Sequence, residues 1–292
     1  MSTSLTLTPV KLAFERILVP TDFSDVSQRA MDYARGIAKQ DGSKILLAHV
    51  NPFVNTINPE ITWIDQQAVW RQAEEQLEQK GTELRSMGFQ AQTISVTGIV
   101  EKEVLAAASR ERADLIVLGT HGDTGIERLL FGSDAEALLR NASCPVLVIG
   151  PGARPFGDQV WHPKHVMCPS DLAPDSAPIV ANAYILSDGY QATFTLLHIE
   201  NPARRSNSDE LRQFERALAQ LLPDKKGPIR ALRTRLSDAP GVAIVDFAMD
   251  INADLIVMGA HTAPVSATHL LRGIAPQVFA KAPCPVMVLH AH

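Results

Sequence analysis

The stretch ADLIVLGTH at residues 113–121 returns as ADLIVMGAH at 253–261, an offset of 140. Each reads as a short apolar run, Leu115–Leu118 in the first case, that passes straight into a glycine and polar residues. Apolar runs without alternation suit strands of a parallel sheet buried on both faces. Working outward, CPVLVI (144–149) recurs as CPVMVL (284–289) at the same offset. Upstream, RILVPTDFS (16–24) recurs as HVMCPSDLA (165–173) at an offset of 149, and ILLAHVNP (45–52) as TLLHIENP (195–202), in which His49 and His198 keep the offset of 149. Four blocks in one order mean that a single unit is written twice, with nine residues lost from the second copy. The stretch GPGARPFG (150–157) between the copies reads as a linker. The expected domains are therefore 1–155 and 156–292.

Within the first copy, strands are expected near 16–20, 45–50, 91–97, 113–119 and 145–149. Ser24 is a fitting N-cap for a helix whose apolar side carries Val26, Ala30, Ala34 and Ile37 and which ends at Gly42. Further helices are expected near 64–87 and 100–111, and from Ser133 to just before Cys144. The second copy repeats the order, with helices near 175–187, 208–222, 241–251 and 268–281. Alternation of strand and helix gives an α/β fold, here two tandem doubly wound open parallel five-stranded sheets of Rossmann-like kind.

The 292 residues are 46% apolar and 20% charged, enough for a core in each half, and the net charge of −5 offers no basic footprint for nucleic acid or an anionic membrane. No run approaches the ~18 apolar residues of a membrane helix, and no signal peptide is read at the N-terminus. A cytoplasmic protein is expected. The three cysteines, without any C-x-x-C, argue against a disulfide framework. Cys144 and Cys284 precede proline and read as small buried residues. His49 and His198 read as hydrogen-bonded scaffold. His162 and His165, in WHPKH, have a metal-like spacing but no carboxylate or cysteine beside them, so no metal site is expected. Gly-Lys, G-x-G-x-x-G, G-x-S-x-G and H-E-x-x-H are absent from the sequence, which excludes the corresponding catalytic and nucleotide motifs.

Ligands of doubly wound sheets bind beyond the carboxyl ends of the strands. Those ends carry Pro20-Thr21-Asp22, His49-Val50-Asn51 and Gly119-Thr120-His121-Gly122. The last continues as GTHGDTGIERLLFGS, a G-x2-G-x9-G-S arrangement that ends at Gly132-Ser133. Glycines let backbone approach a bulky anion, and Ser133 can both cap the next helix and bond a phosphate oxygen. The free N–H groups of that helix favour negative charge. Asp22, on another strand end, suits hydrogen bonds to a sugar hydroxyl or a base.

These motifs, with ILVPTDFS, LLAHV and CPVLVI, resemble those of tandem members of the universal stress protein (UspA) family over nearly all of both copies. In the nucleotide-binding branch of that family the glycine motif holds the phosphates of ATP. The resemblance implies Gly119, Gly122, Gly132 and Ser133 for that role, with Asp22 and its neighbours Pro20 and Thr21, and Val50, facing ribose and adenine. Relatives often have Val after the Gly-Ser, whereas this chain has Asp134. A carboxylate there either repels a triphosphate or helps hold Mg²⁺. In the second copy Gly122 is matched by Thr262, and the Gly132-Ser133 pair by Arg272-Gly273 or Gly273-Ile274, so no ATP is expected there.

The resemblance also implies that the last strands, CPVLVIG and CPVMVLH, are sheet edges that pair across a two-fold axis. Here the two copies can pair within one chain as a pseudo-dimer. Homodimerisation of whole chains is compatible with this and is not decided by the sequence. The expected function is an ATP-binding module or switch in a stress response, acting on a protein partner that the sequence does not name. The rivals are slow ATP hydrolysis or phosphotransfer, with Asp134, Asp123 and His121 near the phosphates, and a nucleotide-independent interaction protein.

Overall fold

A computed structural model describes residues 13–52, 63–120, 138–157, 159–202, 208–222, 227–260 and 274–290. By contacts these fall into two compact units. One comprises Ala13–Cys144 with Pro155–Trp161; the other comprises Pro145–Arg154 with His162–His292.

The first unit holds β1 (Arg16–Pro20), α1 (Asp25–Asp41), β2 (Lys44–Pro52), α2 (Trp63–Ser86), β3 (Ala91–Gly98), α3 (Val100–Glu111) and β4 (Leu115–Gly119). Its strands lie in the order β3-β2-β1-β4 and all the pairings are parallel. The central strand is fully enclosed, with Ile17, Leu18 and Val19 at 0% exposure, as expected for a strand covered on both faces. Helix α1 starts where Ser24 accepts a hydrogen bond from the Ser27 N–H and stops at Gly42, which takes φ 72°. It buries Ala30, Ala34 and Ile37 against the sheet, as its sequence spacing predicts.

The second unit holds β5 (Val146–Ile149), β6 (His165–Pro169), a 3₁₀ turn (Pro174–Ser176), α4 (Ala177–Gly189), β7 (Thr193–Glu200), α5 (Ser208–Leu221), α6 (Gly227–Arg230), β8 (Leu232–Leu236), α7 (Pro240–Asp250), β9 (Leu255–Ala260), α8 (Ala275–Lys281) and β10 (Val286–His290). The order is β5-β10-β9-β6-β7-β8. Each copy thus supplies five strands to doubly wound parallel sheets. The described exception to parallel pairing is β5, which runs antiparallel to β10 with Val148 opposite Val286 and Val146 opposite Val288. The last strands of the two copies therefore pair with each other.

The segment expected to be a linker is packed rather than free. Residues 145–154, which the repeat assigns to the first copy, make their contacts with the second unit: the Arg154 N–H donates to the Pro283 carbonyl at 3.1 Å, and Ala153 is 2% exposed. Residues 155–161 instead return to α1 of the first unit. Phe156 stacks on Tyr33 with ring centroids 5.0 Å apart, and the Trp161 N–H donates to the Gly36 carbonyl at 3.1 Å. Gly36 is the reason this strap can lie so close, because a Cβ there would collide with the Phe156 ring. Aromatic residues, Phe156 and Trp161, convert a glycine- and proline-rich connection into a docked one.

No helix among the described residues is long and apolar enough to cross a membrane. The helix expected from Ser133 is described only over its last turn, at residues 138–141, and the helix expected near 268–281 from Ala275 onward.

Candidate functional site

The site builds from the carboxyl end of β1. The Thr21 N–H extends the ladder to the Ala48 carbonyl at 2.8 Å, and then the chain turns sharply. Thr21 Oγ1 accepts from the Phe23 N–H at 3.0 Å, and Asp22 Oδ1 accepts from the Ser24 N–H at 3.1 Å. Such local side-chain bonds replace the ladder where the strand ends. Between them Phe23 takes φ 68°, a conformation costly for a residue with a Cβ. Its ring is held against His49 on β2, with centroids 4.7 Å apart. The His49 ring in turn donates from Nδ1 to the Thr21 carbonyl at 2.8 Å, which fixes its tautomer. His49 is thus scaffold that positions the turn.

Asp22 is held on one side only. Ser24 Oγ donates to its Oδ1 at 2.6 Å, while Oδ2 is buried and has no hydrogen-bond partner among the described residues. An acceptor left in that state costs free energy unless something completes it. The second copy provides a control within the same chain. There Ser170, Asp171, Leu172 and His198 rebuild the turn: Leu172 has φ 61°, and His198 Nδ1 donates to the Ser170 carbonyl at 3.0 Å. Asp171 Oδ1 still accepts from the Ala173 N–H at 3.0 Å, but no serine hydroxyl stands at 173 and Asp171 is exposed. The frame persists in both copies, and the enclosed, half-satisfied carboxylate belongs to the first.

Of the other expected residues, Pro20 ends β1 and Val50 lies near the end of β2 at 8% exposure. Leu47 faces a cleft between α1 and α2 with Thr21, Ser27, Met31 and Leu84. Strand alternation therefore places Val50 on the opposite face of β2, the side of α3. Gly119 ends β4, and a Cβ there would come within 2.8 Å of the Val26 carbonyl oxygen. Its smallness is accounted for by the approach of α1. The structure brings Pro20, Thr21, Asp22, Val50 and Gly119 to one sheet edge; Gly122, Gly132, Ser133 and Asp134 lie outside the described residues, as do His121 and Asp123.

Two polar features of the first copy are not evident from the sequence. Ser24 was legible as a cap but not as a donor to Asp22, although a serine two residues after an aspartate at a helix start is a signal for both. Glu101, on the first turn of α3, is 8% exposed with Oε2 buried and unpartnered among the described residues. Its signal was a carboxylate in helical step with the buried Val104 and Ala108.

Elsewhere, His162 tilts against Tyr190 at 5.6 Å, and His165 Nε2 pairs with Thr195 Oγ1 at 2.9 Å. Burial lowers the His165 pKa, opposed by a backbone hydrogen bond with Ile251 and by the charge of Asp254. No group of three or more His, Cys, Asp or Glu residues able to hold a metal occurs among the described residues. All three cysteines are buried, and burial pushes each thiol up to about 12.

With this geometry in hand, the comparisons are specific. Residues 13–150 and 162–290 match the profile of the universal stress protein family. A universal stress protein of Methanocaldococcus jannaschii is 36% identical over 139 residues, covering 47% of this chain and 82% of that protein. A second from the same organism is 26% identical over 157 residues, covering 48% of this chain and 97% of the other. Among solved structures, a universal stress protein from Archaeoglobus fulgidus superposes with a TM-score of 0.70 at 20% identity, over 96% of this chain and 98% of that one. That last likeness speaks to the fold.

Proposed function

The chain belongs to the universal stress protein family, and we propose that its first copy binds ATP and uses it as a switch toward a protein partner. The observation that carries the reading is the buried Oδ2 of Asp22, without a hydrogen-bond partner among the described residues, at the sheet edge where doubly wound folds bind ligands. A ribose or base donor would complete it. Val50 offers an apolar wall on the α3 side, and the sequence G-x2-G-x9-G-S supplies Gly122, Gly132 and Ser133 for the phosphates. Asp134 is the residue of this set that could serve Mg²⁺. The exposed Asp171 and the Thr262 and Arg272 substitutions support one nucleotide per chain rather than two.

Bound nucleotide stabilises the folded first unit by linkage, by about 2.7 kcal/mol at a hundredfold excess over Kd. Calorimetric titration of the full chain with Mg-ATP tests this. One site per chain, abolished by Gly132→Val, is expected; absence of both heat and thermal shift overturns the proposal.

A further inference from the structure

We infer that Glu101 is a further specificity residue of the first-copy site, accepting a hydrogen bond from a ribose hydroxyl of the nucleotide; this rests on the ATP reading above. Glu101 occupies the second helical position of α3, whose N-cap, Ile99, contributes no capping side chain. Acids are common in a first turn because the helix end favours negative charge, but that effect needs no burial. Glu101 is more than nine-tenths buried, and its Oε2 has no hydrogen-bond partner among the described residues. A buried carboxylate without a donor is among the costlier states a side chain can occupy.

The second copy shows what the same place looks like without that group. At the offset of 140 that relates these blocks, Glu101 corresponds to Gly241. There α8 fills the space: a Cβ on Gly241 would lie 2.5 Å from Gln277 Oε1. Gln277 corresponds in turn to Ala137, which lies outside the described residues. The first copy thus has a carboxylate where the second has a glycine packed against a glutamine.

The ligand chemistry follows from counting donors. Asp22 and Glu101 each present an acceptor that no described residue satisfies, and both stand at the carboxyl edge of one sheet: Asp22 after β1, Glu101 three residues after β3. A carboxylate only accepts. The matching part of the ligand must carry donors and no negative charge of its own. In ATP the portion between adenine and phosphates is the ribose, whose vicinal hydroxyls are two such donors.

The test is a cycle on the full-length protein, titrating ATP and 2′,3′-dideoxy-ATP into wild type, Glu101→Met and Glu101→Gln. The two nucleotides share base and triphosphate, so general charge effects of the substitution cancel. Wild type is expected to prefer ATP by roughly tenfold or more, the scale of a hydrogen bond to a charged group. Glu101→Met should lower that preference several-fold, leaving the share due to Asp22, by weakening ATP while the dideoxy analogue stays within about threefold. Glu101→Gln, which keeps an acceptor oxygen, should fall between. In the ligand-free protein both variants should melt at or above the wild-type temperature, because an unsatisfied buried charge has been removed. Equal weakening of both nucleotides, or melting well below wild type with the preference intact, overturns the inference and makes Glu101 a structural residue. If wild type binds no ATP at all, the ATP reading falls and this inference falls with it. ATP binding without coupling to Glu101 sinks this inference alone.

Discussion

At the scale of the residue, the turn after β1 shows how little sequence is needed to build a strained frame twice. Thr21 and Ser170 cap the turn, His49 and His198 brace it, and Phe23 and Leu172 both accept positive φ. The first copy adds Ser24, whose hydroxyl caps α1 and donates to Asp22. Ser24→Ala should therefore destabilise the first unit by about 1 kcal/mol, the usual value of an N-cap, while leaving the turn formed as Ala173 does in the second copy. Urea denaturation checks the first and the retained His49 ring-proton shift checks the second. His165 gives a pH dependence. Burial lowers its pKa below 6.5 in the folded state, so below pH 6.5 the unfolded chain binds the proton better and stability falls. The urea midpoint should drop from pH 7.5 to pH 5.5, and less so in His165→Phe; an equal drop in both excludes His165 as the cause. The cysteines are the simplest case. With thiols raised to about 12, Cys144, Cys168 and Cys284 should react with a thiol reagent at neutral pH only after denaturation.

At the scale of the element, the strands and helices were legible because their apolar spacing states their burial: Ile17–Val19 run uninterrupted and are enclosed, and Ala30, Ala34 and Ile37 share one helix face. The turn at Asp22 was legible because a motif named it, whereas the glycine pattern from Gly122 onward lies outside the described residues. Glu101 was not legible, because a glutamate at the head of EKEVLAAASRE reads as one more solvated charge until the packing of α3 is known. The docked strap was equally hidden. GPGARPFG has the composition of a free connection, and only the closeness of Gly36 to Phe156 and Trp161 reveals the dock. Glycine in these elements is spent on packing. Gly119→Ala would push a methyl against the Val26 carbonyl, an immovable backbone group, and should cost roughly 1–3 kcal/mol without any ligand present. Gly259→Ala meets the Ile179 side chain at 3.0 Å, which can shift, and should cost less. Differential scanning calorimetry of the two variants orders them; equal losses would mean that the α1 contact at Gly119 is not as rigid as the geometry indicates.

At the scale of the whole molecule, the consequential feature is that the repeat and the contacts divide the chain differently. Residues 145–154 are written as the end of the first copy, yet β5 pairs with β10 of the second. Val146, Leu147, Val148 and Ile149 are all at 0% exposure, so this pairing buries a strand that would otherwise be an apolar edge. The antiparallel register ties Val148 to Val286 and Val146 to Val288. A proline in β5 removes a backbone donor, and Val148→Pro should therefore loosen β10 rather than act locally. Hydrogen exchange is the direct readout. Amides of Val286–Leu289 should lose protection in the variant, while those of Ile17–Val19 and Ile45–Ala48, in the first unit's central strands, should keep theirs. Undiminished protection across β10 would show that β9 alone holds the last strand, and that the exchange of β5 contributes nothing to the second unit's stability.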